Sequence, residues 1–135
     1  MGRLPATRIV VGRFDGDTAE IGRARHLVRT TLLAWGLRAH VDAFELGASE
    51  LVTNALVHGD GEIELRLIAA ADEVRLEVAD RGGCLAPPRP VRPPREARGG
   101  WGLQLVEEMS NGWGASTGQA VTRVWMVRRT DDARA

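Results

Sequence analysis

The chemistry suggested by this sequence centres on a row of three polar residues near its middle. Glu50, Asn54 and His58 are spaced four residues apart, so a helix with 3.6 residues per turn places all three on one side. A carboxylate, a carboxamide and an imidazole in one row could take part in proton transfer and ligand binding. The row follows the margin of an apolar stripe made of Phe44, Ala48, Leu51, Val52, Ala55 and Leu56. Such a margin faces either a cleft or, in the simpler interpretation, ordinary half-solvated surface.

Two glycine-rich stretches favour the cleft. The first, Asp80-Arg81-Gly82-Gly83, ends an alternating strand, and the second, Gly99-Gly100-Trp101-Gly102-Leu103, leads into a helix. A helix N-terminus presents unpaired N–H groups, and residues without a Cβ let phosphate oxygens approach the backbone. Between the two stretches, residues 84–98 contain five Pro and four Arg without periodicity, which indicates either a functional lid or a surface excursion.

Hydrophobic periodicity predicts the elements that must position these residues. Strands are expected where apolar and polar residues alternate, and helices where apolar residues recur every three or four positions. Two alternating runs joined by Ala70-Ala71-Asp72 predict an antiparallel hairpin with one face on the helices. The expected elements, in order, are a strand over 8–14, a helix from a capping signal at Asp17 and Glu20 to Gly36, a helix over 41–58, strands over 62–68 and 73–80, a helix over 103–109, a strand that starts within 110–114, and a last strand over 120–128.

Composition bounds the class of protein. The 135 residues suffice for one domain, so 1–135 is expected to be a single unit with flexible tails over 1–7 and 129–135. All 18 basic residues are Arg and they balance 18 acidic residues, so no overall basic field favours nucleic acid or a membrane surface. No apolar run suits a signal peptide or a membrane span, and the single Cys84 cannot form an internal disulfide. A cytoplasmic location is therefore expected.

The order of these features resembles the GHKL-type (Bergerat-fold) ATP-binding domains, and among them the small single-domain anti-sigma factor serine/threonine kinases. Residues 50–59, Glu-Leu-Val-Thr-Asn-Ala-Leu-Val-His-Gly, are similar to that family's N box, and residues 100–106 are similar to its second glycine box. Asp80 and Gly82 match the first glycine box, in which Cys84 replaces a second Gly. The resemblance implies an α+β two-layer sandwich, with a mixed, mostly antiparallel sheet and three helices on one face.

The resemblance also implies roles for individual residues. Asn54 would be the protein ligand of Mg²⁺ in bound Mg–ATP, and Glu50 would orient or deprotonate the attacking hydroxyl group. Asp80 would accept a hydrogen bond from the adenine amino group, and Gly82 would give the base room. The phosphates would lie against the backbone amides of Gly100, Trp101, Gly102 and Leu103. Further contacts with the nucleotide are expected from His58, Arg98 and Thr122, with Arg95 as a second arginine near the γ-phosphate. A His at position 58 could equally cap the end of its helix.

Two functions from different classes fit these roles. The first is a protein serine/threonine kinase, whose substrate by resemblance is an anti-sigma factor antagonist, whose second partner is a sigma factor, and which forms a homodimer paired near Arg8–Phe14. The second is a non-catalytic, ATP-dependent binding module that sequesters a protein partner. Retention of Glu50 favours the kinase, whereas Cys84 and the Pro/Arg-rich loop leave the binding module open. The ATP-binding half of a histidine kinase fits less well, since His26 is followed by Leu27 instead of an acid.

Overall fold

A computed structural model of the chain describes residues 7–58, 61–81, 102–118 and 121–131, without the side chains at 58, 102 and 103. Within these ranges the chain forms five strands, three helices and one short 3-10 turn. In chain order they are β1 (Arg8–Phe14), α1 (Glu20–Ala34), the 3-10 turn (Arg38–His40), α2 (Val41–His58), β2 (Ile63–Ala70), β3 (Glu73–Asp80), α3 (Gly102–Met109), β4 (Gly112–Gly118) and β5 (Val121–Arg129).

The strands form one sheet in the order β1-β2-β3-β5-β4. All four strand pairs in the described part of the chain are antiparallel. The α+β sandwich is confirmed, but the expected mixed sheet is corrected, since each described neighbour runs antiparallel. The final strand, β5, lies inside the sheet between β3 and β4, and the edges are β1 and β4.

The helices cover one face of this sheet, and the core lies between the two layers. On β3 the buried side chains of Val74, Leu76 and Val78 alternate with more exposed ones, as a strand with one wet face requires. The apolar stripe expected on α2 is confirmed, because Phe44 and Leu51 are almost fully buried. Burying each of these two side chains contributes about 1.5–3 kcal/mol to stability. The fold therefore anchors α2 through the stripe that borders the polar row.

A glycine brings α2 unusually close to the sheet. A Cβ atom built at Gly47 would overlap Met126 Sδ on β5 and would contact Leu76 on β3 at 3.6 Å. A larger residue at position 47 would therefore require the flexible side chain of Met126 to shift. The next turn of α2 carries Glu50, so this contact lies close to the polar row.

The C-terminal end of the sheet extends beyond its expected limit. Residues 129–135 were predicted to be a tail, but Arg129 belongs to β5. Thr130 is also held, since its backbone N–H donates to the carbonyl oxygen of Asp72 at 2.7 Å. The turn between β2 and β3 thus fastens the end of β5, and the predicted tail boundary is wrong for residues 129 and 130.

Candidate functional site

The polar row of α2 lies at the edge of the core, as its spacing predicts. Glu50 and Asn54 are half-buried, while their neighbour Thr53 is exposed. Because both residues belong to one continuous helix, Val41–His58, their side chains are one turn apart. His58 is the last residue of that helix, and its side chain lies outside the described residues. A carboxylate and a carboxamide therefore stand together beside the apolar interface of α2 with the sheet.

The side chain of Glu50 is a weaker acid than an exposed glutamate. Burial removes water from its carboxylate and raises the pKa of Glu50 above its ordinary value. The charged form becomes less favourable, so the group binds a proton more readily than an exposed glutamate would. This is the direction expected for a carboxylate that accepts a proton during a reaction near neutral pH.

A second polar group lies on the inner face of the sheet, at the end where β3 stops. Asp80 on β3 and Thr122 on β5 are Cα partners in the antiparallel ladder. Their residues are 6% and 3% exposed, and both lie on the face that the helices cover. The row continues to Thr117 on β4, which is paired with Thr122 and is half-buried. The core thus ends in an aspartate and two threonines instead of apolar side chains.

The hydroxyl group of Thr122 is not satisfied by the described residues. Its Oγ1 atom is fully buried and has no hydrogen-bond partner among them. A buried hydroxyl without a partner destabilises a folded protein by about 1–3 kcal/mol. The Thr122 hydroxyl is therefore available to a partner beyond the described residues, such as a bound ligand or a water. The spacing of residues 120–128 alone did not place Thr122 beside Asp80, which the register of β3 with β5 does.

The structure describes only part of each glycine box: Asp80 and Arg81 of the first, and the residues from Gly102 onward of the second. α3 begins at Gly102, one residue before the predicted start, so the second glycine box does lead into a helix. Of Leu103 the structure describes the helical backbone. The other predicted nucleotide contacts lie outside the described residues, namely Gly82, Arg98, Gly100 and Trp101, as do Cys84 and Arg95. Thr117 is the candidate that sequence reasoning missed, and only its pairing with Thr122 points to it.

A depression of about 460 Å³ opens beside Asp80, mainly on the outer face of the sheet, opposite the helices. Glu64 and Arg123 line it, and both alternate along their strands with side chains that enter the core. Opposed acidic and basic groups on an exposed sheet are typical of solvated surface. We therefore place the candidate site between α2 and the Asp80–Thr122 pair.

The sequence matches a family model described as the histidine kinase-like ATPase domain over residues 14–128. The chain belongs to this family. The matched range runs from the end of β1 almost to the end of β5, so it contains both the α2 row and the Asp80–Thr122 pair. ATP is the ligand that membership in an ATPase-domain family supports. No curated protein matches the sequence significantly.

A solved structure shares the fold of this ATPase domain. It is the crystal structure of the RsbU and RsbW domains of Rv1364c from Mycobacterium tuberculosis, with a TM-score of 0.69 and 21% sequence identity. The similarity covers 90% of this chain but only 32% of that one. At this identity the likeness establishes the fold. Within the described residues, no helix is long and apolar enough to cross a membrane.

Proposed function

We propose that this ATPase domain is an anti-sigma factor serine/threonine kinase, which transfers the γ-phosphoryl group of Mg–ATP to a small antagonist protein and sequesters a sigma factor. The observation that carries the proposal is the position of Glu50. Its half-buried carboxylate has a raised pKa and stands one turn before Asn54, on a helix that packs against β3 and β5, the strands that carry Asp80 and Thr122. A module that only bound nucleotide would not require a proton-accepting carboxylate, a general base, at this position.

The adenine would occupy the polar end of the inner sheet face. Asp80 would accept a hydrogen bond from the adenine amino group, and the Thr122 hydroxyl, which has no partner among the described residues, would supply a second polar contact. Gly82 would leave room for the base. The phosphates would extend toward α3, where the amides of Gly100 to Leu103 and the guanidinium of Arg98 would hold them.

Mg²⁺ fits the donor that α2 presents. Asn54 offers one neutral carboxamide oxygen, which suits a hard cation that keeps most of its waters and takes its other ligands from phosphate oxygens. The described residues contain no group of three or more His, Cys, Asp or Glu side chains that could hold a metal by themselves. When bound, the ion would neutralise charge on the β- and γ-phosphates. Asn54 would therefore bind the metal only together with the nucleotide.

Glu50 would act on the acceptor. Its carboxylate would take the proton from the serine or threonine hydroxyl as that oxygen forms a bond to the γ-phosphorus. The bond between the γ-phosphorus and its bridging oxygen breaks, and ADP leaves with the electron pair. The desolvated setting of Glu50 supports this role, because a raised pKa brings the acceptor carboxylate closer to the proton affinity that the step needs.

The same proposal includes a homodimer paired through β1. This strand is an edge of the sheet, and its side chains Ile9 and Val11 are 58% and 44% exposed. An edge strand with exposed apolar side chains and no Pro is a template for pairing with another strand. A second copy could extend the sheet through a two-fold axis beside β1.

Phosphate transfer tests the proposal directly. Labelled ATP is mixed with the protein and a candidate antagonist, and transfer is compared between the wild type and Glu50→Gln, while ATP binding is measured in parallel. Transfer should slow by roughly 10²- to 10⁴-fold in the variant because the base is lost, with ATP binding nearly intact. Glu45→Gln is the matched control, since Glu45 lies on the same helix and pairs with Arg25 and Arg29 of α1. If the wild type binds ATP and the antagonist tightly but transfers no phosphate, the kinase hypothesis is wrong and the non-catalytic binding module is the better explanation.

A further inference from the structure

A buried arginine lies at the opposite end of β5 from Thr122. Arg128 is 1% exposed, and so is His40 in the 3-10 turn between α1 and α2. Arg128 Nε donates to His40 Nδ1 at 3.2 Å, and His40 Nε2 lies 3.0 Å from the carbonyl oxygen of Thr130. Because a guanidinium can only donate, Nδ1 must accept and Nε2 must carry the proton that is given to Thr130. Nδ1 of His40 is therefore the acceptor that orients the arginine.

The other end of the same guanidinium holds a helix. Arg128 Nη1 donates to the carbonyl oxygen of Met109 at 3.0 Å, and Met109 is the last residue of α3. Carbonyl groups at a helix C-terminus lack intrahelical partners and form the negative end of the helix dipole. A cation is therefore well matched to this end. Burying a charged group is costly, however, so packing alone does not account for an arginine here.

The length of α3 makes this contact consequential. The helix has eight residues, Gly102–Met109, and is about 12 Å long. A helix this short is not stable by itself, so tertiary contacts determine its position. Val106 supplies an apolar contact in the core, and Arg128 supplies a polar one at the C-terminal end. Movement at Met109 would be carried along the helix to Gly102.

We propose that Arg128, oriented by His40, is a positioning residue that fixes α3 so that the amides at its N-terminal end can hold the ATP phosphates. The inference rests on the proposed function, since it assumes that ATP binds with its phosphates at the second glycine box. It assigns a role to two residues that do not touch the nucleotide. It also links the α1–α2 junction to the phosphate half of the site, and not to the adenine half.

The test compares two ligands. ATP needs both halves of the site, whereas adenosine needs only the half formed by Asp80 and Thr122. In Arg128→Met, which keeps an unbranched apolar chain but removes the donors, ATP affinity should fall on the order of ten- to a hundredfold. Adenosine affinity should change by less than about twofold, a difference well below 1 kcal/mol. Titration calorimetry at saturating Mg²⁺ measures both affinities.

Arg129→Met is the matched control. Arg129 is the next residue of β5, but its side chain is 64% exposed and pairs with Asp131 on the surface. The substitution removes the same charge from the same strand without touching α3. Both ligands should bind this variant as they bind the wild type.

A second pair of variants guards against a failure of Arg128→Met to fold. His40→Asn can keep an amide oxygen near the position of Nδ1, so it should retain most of the ATP affinity. His40→Leu removes the acceptor and should weaken ATP binding in the direction of Arg128→Met. Rescue by the amide would identify the hydrogen bond to Arg128, and not the volume of the side chain, as the cause.

The outcomes separate the two proposals. An equal loss of ATP and adenosine affinity in Arg128→Met and His40→Leu, or no loss of either, would overturn the positioning role and leave the proposed nucleotide site standing. Failure of the wild-type protein to bind ATP would overturn the proposed function, and the positioning role with it.

Discussion

Asp80 and Thr122 lie directly opposite each other in the β3–β5 ladder, buried on the face that the helices cover. Both positions belong to the inward-facing rows of their strands, where Val78 and Val124 are the preceding pair. An apolar pair would extend the core by one more layer. The polar pair instead ends the core with groups that can form hydrogen bonds, and under the proposed function the adenine would bind there.

Removing the hydroxyl of Thr122 should separate binding from stability. Thr122→Val replaces a buried hydroxyl that has no partner among the described residues with a methyl group of similar size. The free protein should keep its stability or gain about 1 kcal/mol, while ATP affinity falls. Thermal unfolding with and without ATP measures both effects. Ser116→Ala, at an exposed position of the neighbouring strand β4, is the control, and a marked loss of stability in the ligand-free Thr122 variant would show that the hydroxyl is structural.

Substitution of Asp80 should alter the preference of the protein for adenine over guanine nucleotides. In Asp80→Asn the amide can donate where the carboxylate only accepts, so ATP affinity should fall by roughly tenfold or more. The preference for ATP over GTP should shrink at the same time, because a donor can meet the guanine carbonyl oxygen. Competition between the two nucleotides measures the preference. Asp72→Asn, in the exposed β2–β3 turn, should leave both affinities unchanged, and an unaltered preference in Asp80→Asn would remove Asp80 from the adenine site.

Asn54 should make ATP binding depend on the metal. A neutral carboxamide gains little from ATP alone, so wild-type affinity should rise clearly when Mg²⁺ is added. Asn54→Ala should abolish that increase while metal-free binding stays as it was. Calorimetry with and without Mg²⁺ is the measurement, with Thr53→Ala on the exposed side of α2 as control. Equal wild-type affinity in the two conditions would contradict the role.

The raised pKa of Glu50 predicts a pH-dependent stability difference. A carboxyl whose pKa is higher in the folded than in the unfolded protein favours folding at low pH, and this contribution is lost as pH rises through the folded pKa. Glu50→Gln removes this pH-dependent contribution, because a carboxamide does not titrate. The variant should therefore gain stability relative to the wild type as the pH is raised from below the ordinary value of 4.5 to neutrality. Denaturant unfolding at both pH values measures the stability difference between the variant and the wild type. A variant that is more stable than the wild type only at acid pH would contradict the prediction.

The β1 edge should control self-association. The wild type should sediment as a dimer at tens of micromolar, and Val11→Arg should shift it toward monomer by placing a charge beside the pairing edge. Ser116→Arg, on the other edge strand β4, is the control for added charge. A wild type that remains monomeric at this concentration would rule out the proposed dimer.

Elements with a local sequence pattern could be predicted without the structure. Helix α2 runs over Val41–His58 and β3 over Glu73–Asp80, as their periodicities predict, because a period of 3.6 or 2 is set by neighbouring residues along the chain. The spacing of Glu50 and Asn54 on one face follows from the same rule. The glycine box before α3 was also readable as a helix start, and the likeness of these motifs to a known family gave the correct fold class.

Tertiary structure decided which distant residues meet. Strand register is a long-range property, since nothing within residues 120–128 states which residue of β3 will face Thr122. Strand order is of the same kind, and it places the last strand inside the sheet, between β3 and β4. Arg128 gives the clearest case. In the sequence it stands beside Arg129 at the start of a charged terminus, but the alternation of β5 turns Arg128 inward, where it meets His40 from 88 residues earlier in the chain. The packing of α3 and the α1–α2 junction against that end of the sheet brings the carbonyl oxygen of Met109 and the imidazole of His40 within hydrogen-bonding distance of Arg128, which helps to offset the cost of burying the charge.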